Sequence, residues 1–316
     1  MARRPRRRPS QAGHTCVVYR RSDRIARFIR CPRMANDTLD LDRYRRRIGL
    51  TAAGAPDLDL LQTVVARHAA SIPFENLDVI LGRPIRLDIG SIQAKLVDRP
   101  RGGYCFEQNT LLRAALERLG FRVTSLMARV VRGTTADAIT PRTHMLLCID
   151  LPEGAYLADV GFGNLTPTRP LRLDSDAAQP TEHEWFRLQR MNGEILLQAC
   201  LGDVWENLYR FALVPTYPVD HEVGNRFTST RPGGLFTENV MAARPGPSCR
   251  RTFFNGDVTV RDLDNEAERT MLRNRAALRD ALHEHFGIEL PSDDLEQVFS
   301  AMRRFADRPG PGFTLD

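Results

Sequence analysis

The sequence predicts an α+β protein of 316 residues. A helical N-terminal part is followed by a central antiparallel β-sheet or small barrel and then a C-terminal α/β lid. Three observations carry that prediction. Apolar residues recur at helical spacing between Leu39 and Gly120. Short β-rich segments alternate with turns from Phe121 to about Pro218. A further helical stretch runs from Asn265 to Phe286 and stops at Gly287. The expected parts are 34–120, 121–220 and 221–316, preceded by a basic extension over 1–33.

Leu39, Leu41, Tyr44 and Ile48 begin the helical part, and Leu60, Leu61, Val64, Val65 and His68 continue it as one stripe. His68 reads as a core or helix-surface residue. Pro73 breaks the pattern within Ile72–Leu77, and a strong helix former, Thr110–Leu119, ends at Gly120. The expected strands are Phe121–Val131, His144–Asp150, Ala155–Val160, Trp185–Arg190, Glu194–Ala199 and Trp205–Tyr209, with Ser175–Thr181 as a polar surface loop. Beyond Asp220, strands are expected at Asn225–Thr230, Arg251–Phe254 and Asp257–Val260, and a turn at Arg244-Pro245-Gly246-Pro247. On the last helix Leu272, Ala276, Leu282 and Phe286 are expected to face the core. The Pro/Gly-rich tail from Arg308 is expected to be loose.

The net charge of +6 is misleading. Residues 1–33 hold 11 arginines and one aspartate, so the remainder carries 34 basic against 38 acidic residues. The globular part is therefore mildly acidic and no nucleic-acid partner is expected for it. The arm lacks the apolar segment of a secretory signal. It reads as a start codon assigned upstream of Met34, as a solvated disordered arm, or as a tail for nucleic acid or anionic membranes. No apolar run approaches the length of a bilayer span, so no membrane is expected. Six cysteines without a C-x-x-C pair argue against a disulfide framework and favour the reducing cytoplasm. The spacings zinc prefers are missing, so no metal is expected. His283 and His285, two apart on a helix, do not share a face and read as surface residues.

Arg101-Gly102-Gly103-Tyr104-Cys105-Phe106-Glu107-Gln108-Asn109 is the most informative stretch. It places a cysteine after a glycine turn and before a helix, whose unpaired N–H groups and partial positive charge favour thiolate. Pro152-Glu153-Gly154 turns one strand into the next, which can bring His144 and Asp159 together. A cysteine, a histidine 39 residues on and a carboxylate 15 further supply a thiolate, its base and the group orienting the base. Glu75 reads either as a solvated loop charge or as a partner of Arg101 that braces the cysteine turn.

With Ile72-Pro73-Phe74-Glu75-Asn76-Leu77-Asp78, Asp159-Val160-Gly161-Phe162-Gly163 and Ser229-Thr230-Arg231-Pro232, the cysteine stretch resembles the arylamine N-acetyltransferase family. The resemblance runs from about Leu39 to about Leu290. It implies a Cys105–His144–Asp159 triad and a three-part fold on a cysteine-protease or transglutaminase-like core. It implies ping-pong transfer of acetyl from acetyl-CoA, a co-substrate and not a bound cofactor, to arylamines, arylhydrazines or N-hydroxyarylamines. In that scheme an imidazolium stands beside the thiolate at rest, and the Cys105 amide is a candidate donor to the oxyanion. A flat acceptor implies an apolar pocket, with Phe74, Val131 and Phe162 as candidates, plain core roles being their alternative, and Asn164 as a further candidate contact. The resemblance places the donor at Gly161–Thr168 and Asn225–Pro232, with Thr143, Gly161, Gly163, Thr166, Asn225 and Thr230 as candidate contacts.

The chain departs from the family pattern at Asn164, where many relatives have glycine, at Arg231, where histidine is common, and at Gly233-Gly234. Three other readings stay open: a related amide synthase fed by a carrier-bound polyketide, a papain- or transglutaminase-like amidase, and a silent scaffold that binds acyl-CoA or a partner of the arginine arm. A monomer or weak homodimer is expected.

Overall fold

A computed structural model describes residues 38–51, 54–264 and 266–305. The basic arm, Cys16, Cys31 and the tail from Arg308 lie outside the described residues.

The helical part opens with α1 (Leu41–Arg47) and α2 (Leu58–Ser71). Each is started by an aspartate, Asp40 and Asp57, that accepts a backbone N–H of the first turn. Phe74–Glu75 form the short strand β1, followed by α3 (Leu77–Ile80), α4 (Ile89–Leu96) and α5 (Cys105–Arg118). Helix α5 starts at the cysteine itself because the Glu107 carboxylate turns back to accept Tyr104 N–H at 3.1 Å.

His68 holds this part together from inside. Its Nδ1 meets Tyr44 Oη at 2.8 Å and its Nε2 meets Gln108 Oε1 at 2.8 Å. Gln108 Nε2 then donates to the carbonyls of Pro73 and Gly103. Burial lowers the His68 pKa to about 4. Between the ordinary value and about 4, the unfolded chain binds a proton that the native chain refuses. Stability therefore falls as pH drops through that window, by about 3 kcal/mol from this residue. The gap between wild type and His68→Gln in urea unfolding is expected to narrow from about pH 7.5 to about pH 4.5. An unchanged gap would contradict the assignment.

The central part is an antiparallel sheet of eight strands. They are β2 (Arg122–Val130), β3 (Arg142–Leu151), β4 (Gly154–Ala158), β5 (Leu171–Arg172), β6 (Gln179–Pro180), β7 (Trp185–Met191), β8 (Glu194–Leu201) and β9 (Val204–Phe211). Their order is β5-β4-β3-β2-β9-β8-β7-β6. The expected loop at Ser175–Thr181 thus contains β6, because Gln179 and Pro180 pair with Phe186 and Trp185. The β2–β3 ladder shifts register after Ala128, the partner of His144, and such a bulge re-aims the side chains beside it.

Asn225–Thr230 is not a strand. It ends helix α6 (Pro218–Thr230), despite the β-propensity of Phe227-Thr228-Ser229-Thr230. Pro218 pre-sets the first turn, Asp220 accepts Tyr217 N–H at 2.8 Å, and His221, Gly224, Asn225 and Thr228 form a buried face at helical spacing. Strands β10 (Met241–Pro245), β11 (Cys249–Phe254), β12 (Asp257–Asp262) and β13 (Ala267–Met271) then join β1 in a second sheet, order β1-β10-β11-β12-β13. The expected turn at Arg244–Pro247 is strand as far as Pro245.

The expected helix from Asn265 is also shorter. Ala267–Met271 pairs along β12, and α7 (Arg275–Phe286) starts only where Asn274 Oδ1 accepts Ala277 N–H at 2.8 Å. Ala276 is consequently exposed, and the core face is Leu278, Ala281, Leu282 and Phe286. Leu272 is buried from the segment before the helix. An unforeseen amphipathic helix, α8 (Ser292–Phe305), packs Leu295, Val298 and Met302 against this group. Among the described residues no helix is long and apolar enough to cross a membrane.

Candidate active site

Strand β1 stitches the cysteine turn to the second sheet. Phe74 pairs with Ala243 on one side and bridges Gly103 on the other, and Glu75 N–H donates to Gly103 O at 3.1 Å. The turn fits only without side chains. A Cβ on Gly102 would lie 1.9 Å from Pro73 O, and one on Gly103 would lie 2.6 Å from Glu107 Oε2.

Beneath the turn lies a buried charge cluster. Glu75, 0% exposed, accepts Arg101 Nε at 2.9 Å and Leu77 N–H at 2.6 Å. Arg101 reaches Asp78 at 3.0 Å, and Lys95 bridges Asp78 and Glu107, both at 2.8 Å. Burial opposes the Asp78 charge, but Lys95 and Arg101 outweigh it and bring its pKa down to about 2. Glu107 is held above the usual carboxylate range by burial, although Lys95 pulls the other way. Glu75 is therefore a brace for the cysteine turn and not a solvated loop charge. Lys95, Asp78 and Glu107 complete the cluster.

Cys105, 3% exposed, opens α5 with its Sγ 3.7 Å from Thr143 O. His144 Nε2 lies 2.7 Å from Asp159 Oδ2, and Cys105 is close enough to act on the imidazole. Asp159 also accepts Tyr209 Oη at 2.9 Å, Asn109 Nδ2 at 2.9 Å and Gly161 N–H at 2.9 Å. Every lone-pair direction of this buried carboxylate has a donor. Asn109 also donates to Met145 O and accepts Val160 N–H, which ties α5 to both histidine- and aspartate-bearing segments. Gly161 lets those segments meet, since a Cβ there would sit 2.6 Å from Cys105 Cα.

Burial disfavours a charged imidazole at His144, yet the Asp159 carboxylate and the Cys105 sulfur outweigh it and raise its pKa to about 10. Burial likewise opposes the Asp159 charge, and His144, Asn109 and the Gly161 amide more than compensate, leaving it below the usual range. The stabilisation from His144 is complete below its unfolded value and is lost as pH rises through about 10. That from Asp159 is complete above its unfolded value and is lost as pH falls through its lowered one. The pair is thus held across neutral pH.

Cys105 and His144 open into a cavity of about 340 Å³. Phe74, Phe162 and Asn164 line it, with Thr143, Gly161 and Gly163. Phe236 joins Phe74 with ring centroids 6.0 Å apart, and the Phe162 ring stands edge-on to His144 at 5.2 Å. Asn164 Oδ1 accepts Arg132 Nη1 at 2.8 Å across the wall.

Four expected contacts do not reach the cavity. Val131 is buried and donates its N–H to Leu208, while its neighbours Val130 and Arg132 turn to the cavity. Thr166 is buried and its carbonyl is taken by Arg250 Nη2 at 2.8 Å. Asn225 accepts from Tyr104 Oη and donates to Ile85 O. Thr230 Oγ1 donates back to Arg226 O on the exposed end of α6. Their places on the wall go to Phe227, Thr228, Arg231, Phe236 and Thr252–Phe254. Of the groups missed, Asn109 was detectable as the residue one helical turn after Cys105, whereas Tyr209 and Phe236 carried no sequence signal.

A family model for N-acetyltransferases matches residues 57–295. The arylamine N-acetyltransferase of Mycobacterium tuberculosis strain H37Rv is 42% identical over 256 residues, covering 80% of this chain and 90% of its own. That of Escherichia coli K12 is 38% identical over 261 residues, covering 82% and 92%. Among solved structures, Mycobacterium marinum arylamine N-acetyltransferase in complex with CoA superposes with a TM-score of 0.79 at 38% identity, covering 84% of this chain and 99% of its own.

Proposed function

The chain belongs to the arylamine N-acetyltransferase family, and from that premise we propose that Cys105, His144 and Asp159 carry its acetyl group from acetyl-CoA to an aromatic amine. The single observation that carries the assignment is the His144–Asp159 contact of 2.7 Å, with Cys105 beside it on the wall of an aromatic-lined cavity.

His144 holds a proton at neutral pH, given a pKa near 10, and so stands beside the Cys105 thiolate as an imidazolium. The thiolate attacks the thioester carbonyl and its lone pair becomes the new C–S bond. The N–H of Cys105, at the first position of α5, has no intrahelical acceptor and is the proposed donor to the oxyanion. As the tetrahedral intermediate collapses, the C–S bond to CoA breaks and the His144 proton goes to the departing sulfur. Acetyl-Cys105 and neutral His144 remain. The amine then attacks, His144 takes its proton, and the thiolate leaves to restore the ion pair. Asp159 keeps Nε2 protonated throughout and holds the ring in place.

Phe74, Phe162 and Phe236 suit a flat acceptor, so arylamines, arylhydrazines and N-hydroxyarylamines are the proposed class. A thiol used in this way needs a reducing compartment, which supports a cytoplasmic setting.

The test is free-thiol release from acetyl-CoA with and without an arylamine, paired with intact mass after acetyl-CoA alone. Amine-dependent release and an acetyl adduct on Cys105 are expected. Absence of both from folded protein would overturn the donor assignment.

A further inference from the structure

Six of the eleven exposed large apolar side chains among the described residues fall within 213–227. Three of them, Val219 (64% exposed), Val223 (67%) and Phe227 (41%), recur every four residues along α6. They form one stripe on the solvent side, opposite the buried His221, Gly224, Asn225 and Thr228. Leu213, Val214 and Tyr217 extend it at the N-terminal end. A soluble monomer rarely leaves a contiguous apolar face of this kind to water.

We propose that this stripe pairs with the same stripe on a second copy of the chain, the two α6 helices lying antiparallel about a two-fold axis. An isologous contact requires a surface that complements itself when reversed. Val223 lies midway between Val219 and Phe227, so a two-fold axis at Val223 sets that residue against its own copy and Val219 against Phe227. The charges agree. Exposed Glu222 and Arg226 lie on one flank of the stripe, one turn apart. Antiparallel reversal keeps this flank of both copies on one edge and brings Glu222 of each copy beside Arg226 of the other, making two opposite-charge contacts, whereas a parallel two-fold pairing puts the two flanks on opposite edges, where they do not meet. The mixed charge of this flank favours a second copy over an anionic lipid surface or nucleic acid. Phe227 also borders the cavity, so the contact adjoins its mouth.

Sedimentation velocity of the full chain from about 1 to about 200 μM tests the pairing. A concentration-dependent monomer–dimer equilibrium is expected, with Val223→Arg monomeric throughout and its acetyl transfer at nanomolar enzyme unchanged. Arg226→Glu and Glu222→Arg should each weaken the dimer about tenfold, since each reversal touches both symmetric contacts. An equimolar mixture of those two variants should recover it, because opposite charges then meet at both. A single-chain mass at every concentration would overturn the proposal. So would a dimer that survives Val223→Arg, or a mixture no tighter than its components.

Discussion

Cys105→Ala is expected to lower amine-dependent CoA release by about 10⁴-fold or more, to the level of uncatalysed aminolysis. The size of the effect follows from the chemistry. Without Cys105 no acyl-enzyme forms, and His144 has no nucleophile to serve. The cavity can still hold donor and amine, but the amine must then attack the thioester directly. Cys105 is small and buried, so alanine leaves the first turn of α5 and its Glu107 bond to Tyr104 N–H in place. A matching thermal unfolding curve checks that. Cys105→Ser adds a second reading. It keeps a hydroxyl within reach of His144, so slow acetylation of the serine with little turnover is expected. Amine-dependent release that persisted in folded Cys105→Ala would remove the cysteine from the mechanism.

Asp159→Asn is expected to cost about 10³- to 10⁴-fold in turnover with little change in shape. Asp159 accepts four donors: His144, Tyr209, Asn109 and Gly161 N–H. An amide must point its NH₂ at one or more of them. It also removes the charge that holds His144 near 10, so burial becomes dominant and the ring is neutral at pH 7. Alkylation of Cys105 by iodoacetamide near pH 7 should slow together with turnover, because no imidazolium remains beside the thiolate. A variant destabilised only in its packing would lose unfolding temperature while its folded fraction kept the wild-type alkylation rate. That outcome would demote Asp159 to a structural residue.

The elements that sequence reading placed well are those whose signal is local. The β2–β3–β4 run is apolar and partly alternating over consecutive residues, and α1 and α2 follow their own apolar stripes. Its misses share one cause. Phe227–Thr230 favours strand on propensity alone, but Pro218 and the buried face reaching Thr228 make it the end of a helix. Ala267–Met271 has helical neighbours, but the open edge of β12 draws it into a sheet. Val131 and Val130 are chemically alike, and only the turn of the chain after β2 decides which one meets the cavity.

The sequence by itself marked the proposed nucleophile, its base and the orienting carboxylate, because a cysteine at a helix start and a hairpin that can bring His144 and Asp159 together are short-range signals, and the family resemblance joins them. It also marked the Gly102-Gly103 turn before the cysteine, whereas the close approaches that leave no room for a Cβ at Gly102 and Gly161 came only with the packed chain. The tertiary structure alone decided how that chemistry is supported. Tyr209 arrives from β9, Asn109 ties α5 to β3, Lys95 neutralises Glu107 beneath the turn, and Phe236 closes the cavity beside Phe74. Each of these contacts joins segments distant in sequence or carries no motif, and their partners are chosen by burial. A buried charge or ring takes whichever complement the packed chain brings within reach, and no local spacing encodes that choice.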